Sequence, residues 1–160
     1  MSRADLFVGA YEDGRVLALG VGTTDDGDPV EYVAESDPAY PAGGGGECSF
    51  PALFLSLSHR PEAAPGDPFE DVQVLVTPVV DGARGNPVAL ALQLQPEADR
   101  ASPLKLVNRT YEFAFYVEEG AVRLAPRGEH FAVRVTWTGY AMVLGASLEY
   151  EVVTEGLQPN

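Results

Sequence analysis

The chain reads as an all-β protein: an antiparallel β-sandwich of jelly-roll-like form, with a small β-barrel as the alternative. Three observations predict it. Apolar and polar residues alternate over stretch after stretch, as in "QVLVTPVV" and "FAVRVTW", the period of a strand with one buried face. Seventeen glycines and 13 prolines break the chain at intervals that suit short strands. Helix candidates are almost absent, since "PEADRASP" is bounded tightly by Pro96 and Pro103. One-sided alternation leaves each sheet with a single dry face, so two sheets must pack or one must close. A length of 160 residues suits a single domain, 1–160, large enough to bury a core without disulfides or metal.

The elements follow in order. "DLFVGAY" and "RVLALGVG" flank Asp13-Gly14, a hairpin-turn signal, and make residues 5–22 the first hairpin. "TTDDGDP" turns the chain, and "VEYVAE" is a short strand. "SDPAYPAGGGGECSFP", residues 36–51, reads as an extended Pro/Gly-rich loop or arm. "ALFLSLSH" places Leu53, Leu55 and Leu57 on one face. "EDVQVLVTPVV" does the same for Val72, Val74 and Val76, and "VALALQLQ" for Val88, Leu90, Leu92 and Leu94. In the last third, Tyr111, Phe113, Phe115 and Val117 share a face before a turn at Glu119-Gly120. Phe131, Val133, Val135 and Trp137 point inward, with Ala132, Arg134 and Thr136 outward. Finally Leu148, Tyr150 and Val152 face the core, opposite Ser147, Glu149 and Glu151.

Charge bounds the partners. The net charge is −14, and it is uneven: residues 1–80 hold 14 acids and 3 bases, residues 81–160 hold 10 and 7. Phosphate binding needs clustered Lys and Arg, which are absent, so nucleic acid is not an expected partner. An acidic first half suits a basic partner surface, or simply a solvated one. No apolar run approaches the roughly 20 residues of a membrane helix, and no secretion signal is visible at the start. The expected place is a cytoplasm, or an assembly made there.

Catalytic and metal patterns are missing. His59, before Arg60-Pro61, and His130, at a strand start, belong to no nucleophile signature, and both read as solvated turn histidines. Asp25, Asp26, Asp28 and Glu31 are hard-oxygen ligand types. Val30 occupies an acidic position of the EF-hand pattern, so an acidic turn is the better reading. Cys48 is alone and has no neighbouring positive charge, as in a buried or idle thiol. Glu149 and Glu151 lie two apart on one strand, about 7 Å from each other at strand rise, and read as a solvated or partner-facing pair. The Gly43–Gly46 run lacks the Lys-Ser/Thr of a phosphate loop. No catalytic residue, metal or cofactor is therefore expected.

At "RTYEFAFYVEEGAVRLAPRGEHFAVRVTWTGYAMVLGASLEYEVV", residues 109–153, the chain resembles closing segments of small β-sandwich structural proteins of tailed bacteriophages. The recurring form there is a "G-x-x-F/Y-x-V/L-R-V" strand, a turn, an apolar patch and "x-L-E-Y-E". Here it is met by Gly128, Phe131, Val133, Arg134 and Val135, then Leu148, Glu149, Tyr150 and Glu151. The resemblance implies a virion structural protein, a capsid decoration, neck or tail component assembled in the host cytoplasm. It further implies homo-oligomers and other virion proteins as partners, with neither nucleic acid nor membrane. The expected partner-binding residues are Tyr40, Pro41, Gly43, Gly44, Gly45 and Gly46 of the loop, with Glu149 and Glu151. The alternative is a carbohydrate- or receptor-binding sandwich using Tyr11, Tyr32, Tyr40, Tyr116 and Tyr140 as a stacking platform.

Overall fold

The computed structural model describes residues 6–9, 16–19, 24–25, 28–63, 71–96 and 106–154. Seven strands carry the body: β1 (Tyr32–Glu35), β2 (Cys48–His59), β3 (Val72–Val80), β4 (Val88–Leu92), β5 (Val107–Ala114), β6 (Phe131–Thr138) and β7 (Ala141–Val152). Among the described residues there is no helix. One sheet runs β4–β3–β6–β1, and the other places β2 between β5 and β7, all pairs antiparallel. The fold is thus all-β, as the alternation predicts. Short pairings complete it. Leu6–Gly9 pairs with Val16–Leu19, as the first-hairpin reading requires, while its Asp13-Gly14 turn lies outside the described residues. Thr24–Asp25 pairs with Asp28–Pro29. Glu62–Ala63 and Gln95–Pro96 form the one parallel pair among the described strands.

The two sheets meet through Leu53, Leu55 and Leu57 of β2, Val72, Val74 and Val76 of β3, Phe113 of β5, and Phe131, Val133 and Val135 of β6. These residues alternate with polar ones because successive side chains of a strand leave opposite faces. Phe131 sits at the centre of one end, its ring 5.1 Å from that of Phe50 and 5.9 Å from that of Phe115. Trp137 is half-buried, stacked on Tyr32 and donating its indole N–H to the carbonyl of Ala141.

Four expectations need correction. The loop 36–51 ends earlier than its prolines suggest, because Cys48–Pro51 already belongs to β2 and Cys48 and Phe50 are fully buried. The buried phase then switches from Cys48 and Phe50 to Leu53, Leu55 and Leu57. β7 registers the same event, with Glu149 opposite Ala52 but Glu151 opposite Ser49. One extra residue is inserted at Phe50-Pro51, a bulge at a proline that has no N–H to donate. Second, Val117 is exposed rather than core, because the chain leaves the sheet after Phe115 N–H bonds the carbonyl of Pro51. Third, Ala132 is buried although its phase points outward. Fourth, Tyr150 and Val152 are exposed and Leu148 only half-buried, since β7 is an edge strand with core on part of its length.

Candidate functional site

The start of β2 gathers most of the residues singled out in the sequence. The loop before it is not a free arm. Ser36 N–H bonds the carbonyl of Val133, and Ser36 Oγ accepts from Val133 N–H. Ala39 and Phe131 exchange both backbone hydrogen bonds, at 2.8 and 2.9 Å. Tyr40 then lays its ring against His130, with centroids 5.0 Å apart, and keeps half its surface in solvent. Gly43 N–H closes a turn on the carbonyl of Tyr40. Gly43 and Gly45 have φ of 74° and 90°, which L side chains rarely adopt. At Gly46 a Cβ would lie 2.6 Å from Ala42 Cβ. Three of the four glycines are thus required by backbone geometry.

Asp81 locks the opposite wall. It is the one non-glycine residue with positive φ among those described, at 50°. Its Oδ1 accepts from the N–H groups of Glu129 (2.9 Å) and His130 (3.1 Å) and lies 3.3 Å from His130 Nδ1. His130 is therefore partly covered by Asp81 and Tyr40, not a freely solvated turn residue. Between these walls is an open cleft of about 650 Å³, lined by Gly45, Gly46, Glu47, Asp81, Arg127, Gly128, Glu129 and Val153. Three carboxylates against one guanidinium make it electronegative. Asp81 caps the turn, its Oδ1 holding the backbone N–H groups of Glu129 and His130 beside the His130 ring.

Glu149 and Glu151 flank the same end. Both are exposed, and Val153, just beyond β7, donates its N–H to the carbonyl of Glu47. The β2 bulge lies between their pairing positions. On the far side of β2 stands a segment of which the sequence reading gave only the turn at Glu119-Gly120. Val117–Glu119 pairs with Val122–Leu124 through a Gly120 turn at φ 63°, a two-stranded hairpin joined to no other described strand. One face holds Glu118 and Arg123, 3.7 Å apart, with Arg123 over the ring of Tyr116. The other presents Val117, Val122 and Leu124, exposed to 60%, 56% and 49%. The signal was present in the sequence, since "VEEGAVRL" is a hairpin signature. Of its apolar residues, Val117 was assigned to the core face by phase, and Val122 and Leu124 were given no face.

The other end of the sandwich is different. His59 is only 3% exposed, so it is not a solvated turn histidine. It is flanked in the sheet by Val107 and Ala141, and its Nε2 is 2.6 Å from the hydroxyl of Tyr111. Burial holds its pKa below the usual histidine value; Arg109 lowers it further, and the backbone of Arg60 opposes both. Nδ1 has no hydrogen-bond partner among the described residues. A cleft of about 410 Å³ beside it is lined by His59, Pro61, Ala91, Leu92, Gln93, Arg109 and Tyr111.

No family model, curated protein or solved structure matches this chain. Among the described residues no group of three or more His, Cys, Asp or Glu side chains converges as a metal site. Likewise no helix there is long and apolar enough to cross a membrane. Of the acidic turn, Asp25 and Asp28 lie in paired strands and Asp26 lies outside the described residues.

Proposed function

We propose that this chain is a structural protein that works by binding other proteins in an assembly, as a decoration, neck or tail component of a tailed-phage virion. The observation that supports a binding role is the hairpin Val117–Leu124. A lone two-stranded hairpin is at best marginally stable in water, and here its aliphatic face is turned to solvent. Burying one such side chain contributes roughly 1.5–3 kcal/mol. Three of them fall within the roughly 4–15 kcal/mol cost of joining two bodies. One hairpin contact is therefore weak, and repetition around a ring or lattice makes it strong. The virion assignment rests on the closing-strand resemblance, and the jelly-roll form belongs to the same reading. Of the five tyrosines of the sugar-binding alternative, three are engaged within the fold, Tyr32 stacked on Trp137, Tyr40 against His130 and Tyr116 under Arg123, and Tyr11 lies outside the described residues.

Size-exclusion chromatography with light scattering, alone and with candidate virion proteins, tests the reading. We expect association that a Val117→Ser, Val122→Ser, Leu124→Ser triple variant loses while its melting temperature stays close to that of the parent. A strict monomer that ignores those proteins and instead responds on a glycan array would overturn it.

A further inference from the structure

Among the described strands β7 pairs with β2 alone, so its 12 residues leave one row of backbone N–H and C=O groups without a ladder partner. Natural edges of this length are usually interrupted or charged. β7 has two irregularities, at Leu144 between Val143 and Gly145 and again between Glu149 and Glu151. Between them, Gly145–Glu149 stays in unbroken register with Ser56–Ala52. That run is an in-register template of the kind extended segments add to.

Its side chains select the occupant. Before the run stand Met142 and Leu144, exposed to 58% and 50%. At its end stand Glu149 and Glu151, exposed and without an ion pair among the described residues. β7 contains no Lys or Arg. Val153 then leads into the cleft that holds Glu47, Asp81 and Glu129. A second copy is a poor match, because it brings another −14 charge and the same base-free edge.

We propose that β7 is a docking edge for an extended, basic segment of a partner protein, which joins the β5–β2–β7 sheet as a further strand beside β7. Apolar residues of the segment cover Met142 and Leu144, and its Lys or Arg residues lie over Glu149 and Glu151. The inference rests on the protein-binding reading above and adds the chemistry of the partner and the edge it uses.

The test uses the full chain and fluorescent peptides long enough to span β7. One alternates valine and lysine, a second replaces lysine with glutamate, and a third is the first fully N-methylated. The valine–lysine peptide is expected to bind, more weakly as salt rises, and to protect the amides of 145–149 from hydrogen exchange. Glutamate, N-methylation, or a Glu149→Lys, Glu151→Lys double variant should each weaken binding about tenfold or more, a difference of about 1.4 kcal/mol. Absence of binding by the valine–lysine peptide, equal binding of the N-methylated one, or protection elsewhere overturns the proposal. The peptide comparisons decide it even where the double variant melts early. Peptide failure with hairpin-dependent association intact removes the edge alone. Peptide binding by a chain that joins no virion protein removes the broader reading alone.

Discussion

The two ends of β2 hold the chain together by different means. At its start, backbone does the fastening: Ala39 and Phe131 exchange hydrogen bonds, Asp81 caps two N–H groups, and glycines take turns that other residues resist. Behind the buried Cys48 and Phe50, Tyr40 keeps half its surface in solvent, carboxylates outnumber bases in the cleft, and the apolar hairpin face is open. At its finish, side chains do the fastening. His59 is enclosed by strands on both sides, bonded to Tyr111, and its pKa is lowered by burial. Exposed groups can stay uncommitted because water satisfies them, whereas a buried polar group such as His59 Nε2 finds its partner within the fold. The contrast separates a presenting end from a closing end.

Both ends have tightly packed glycines, and substituting one at each end gives the largest effects. A Cβ on Gly139, in the turn between β6 and β7, would lie 2.7 Å from the carbonyl oxygen of Asp71 and 2.9 Å from Val72 Cα, at a φ of 91°. Backbone cannot yield as a side chain does. Gly139→Ala should therefore cost about 3 kcal/mol or more in denaturant unfolding. Gly128→Ala at the presenting end meets Val80 Cγ1 and, at 2.7 Å, Asp81 Oδ2, both side-chain atoms. Its cost should be about 1–3 kcal/mol. The reverse order would mean that the closing end is the looser one.

The buried histidine gives the next effect. Tyr111→Phe leaves His59 Nε2 without its partner and should destabilise by about 1–3 kcal/mol. Its pH dependence has a definite sign. With the folded pKa of His59 below the ordinary 6.5, the unfolded chain takes up a proton first as pH falls. This residue's contribution is thus whole above pH 6.5 and declines as pH drops from there towards the folded pKa. Carboxylates titrate in the same experiment, so the measurement is a difference: melting temperature against pH for the parent minus that for His59→Gln. A difference that grows on acidification in the opposite sense would show that His59 is held charged.

These contrasts also mark where sequence legibility ended. Alternation placed Leu53, Leu55, Leu57, Val72, Val74, Val76, Phe131, Val133 and Val135 in the core, because for a strand with one dry face the period is itself the burial pattern. It failed where burial depends on what lies opposite. Tyr150 and Val152 have the phase of Leu148, yet the facing sheet does not cover them. The bulge at Phe50-Pro51 hid Cys48–Pro51 within an apparent loop, since a phase change resembles the end of a strand. His59 is buried by strands on either side and by Tyr111, 52 residues away, and neither neighbour shows in its local sequence. At the presenting end, Tyr40, Pro41 and the glycine run were legible from composition. Asp81, Arg127 and Glu129 were not, because 48 residues separate Asp81 from the N–H of Glu129. Only the Asp81-Gly82 pair, a turn signal, pointed there.

The smallest effects lie inside the glycine run and decide whether it is built or merely flexible. Gly45 has a φ of 90° and open space around its missing Cβ, so alanine there is opposed by backbone conformation alone. The left-handed region costs an L residue roughly 1–2 kcal/mol, less whatever alanine removes from the unfolded chain's entropy. Gly45→Ala should thus lower stability by about 1 kcal/mol. Gly44 also has open space but an ordinary φ. Gly44→Ala should be neutral or stabilise by up to about 1 kcal/mol, because it narrows only the unfolded ensemble. Adjacent glycines with opposite responses in thermal melts would show that the loop holds a defined conformation, set by Ala39–Phe131 pairing and the Gly43 turn. Equal responses would make the run a tether, and the presenting end would then be ordered only by its partners.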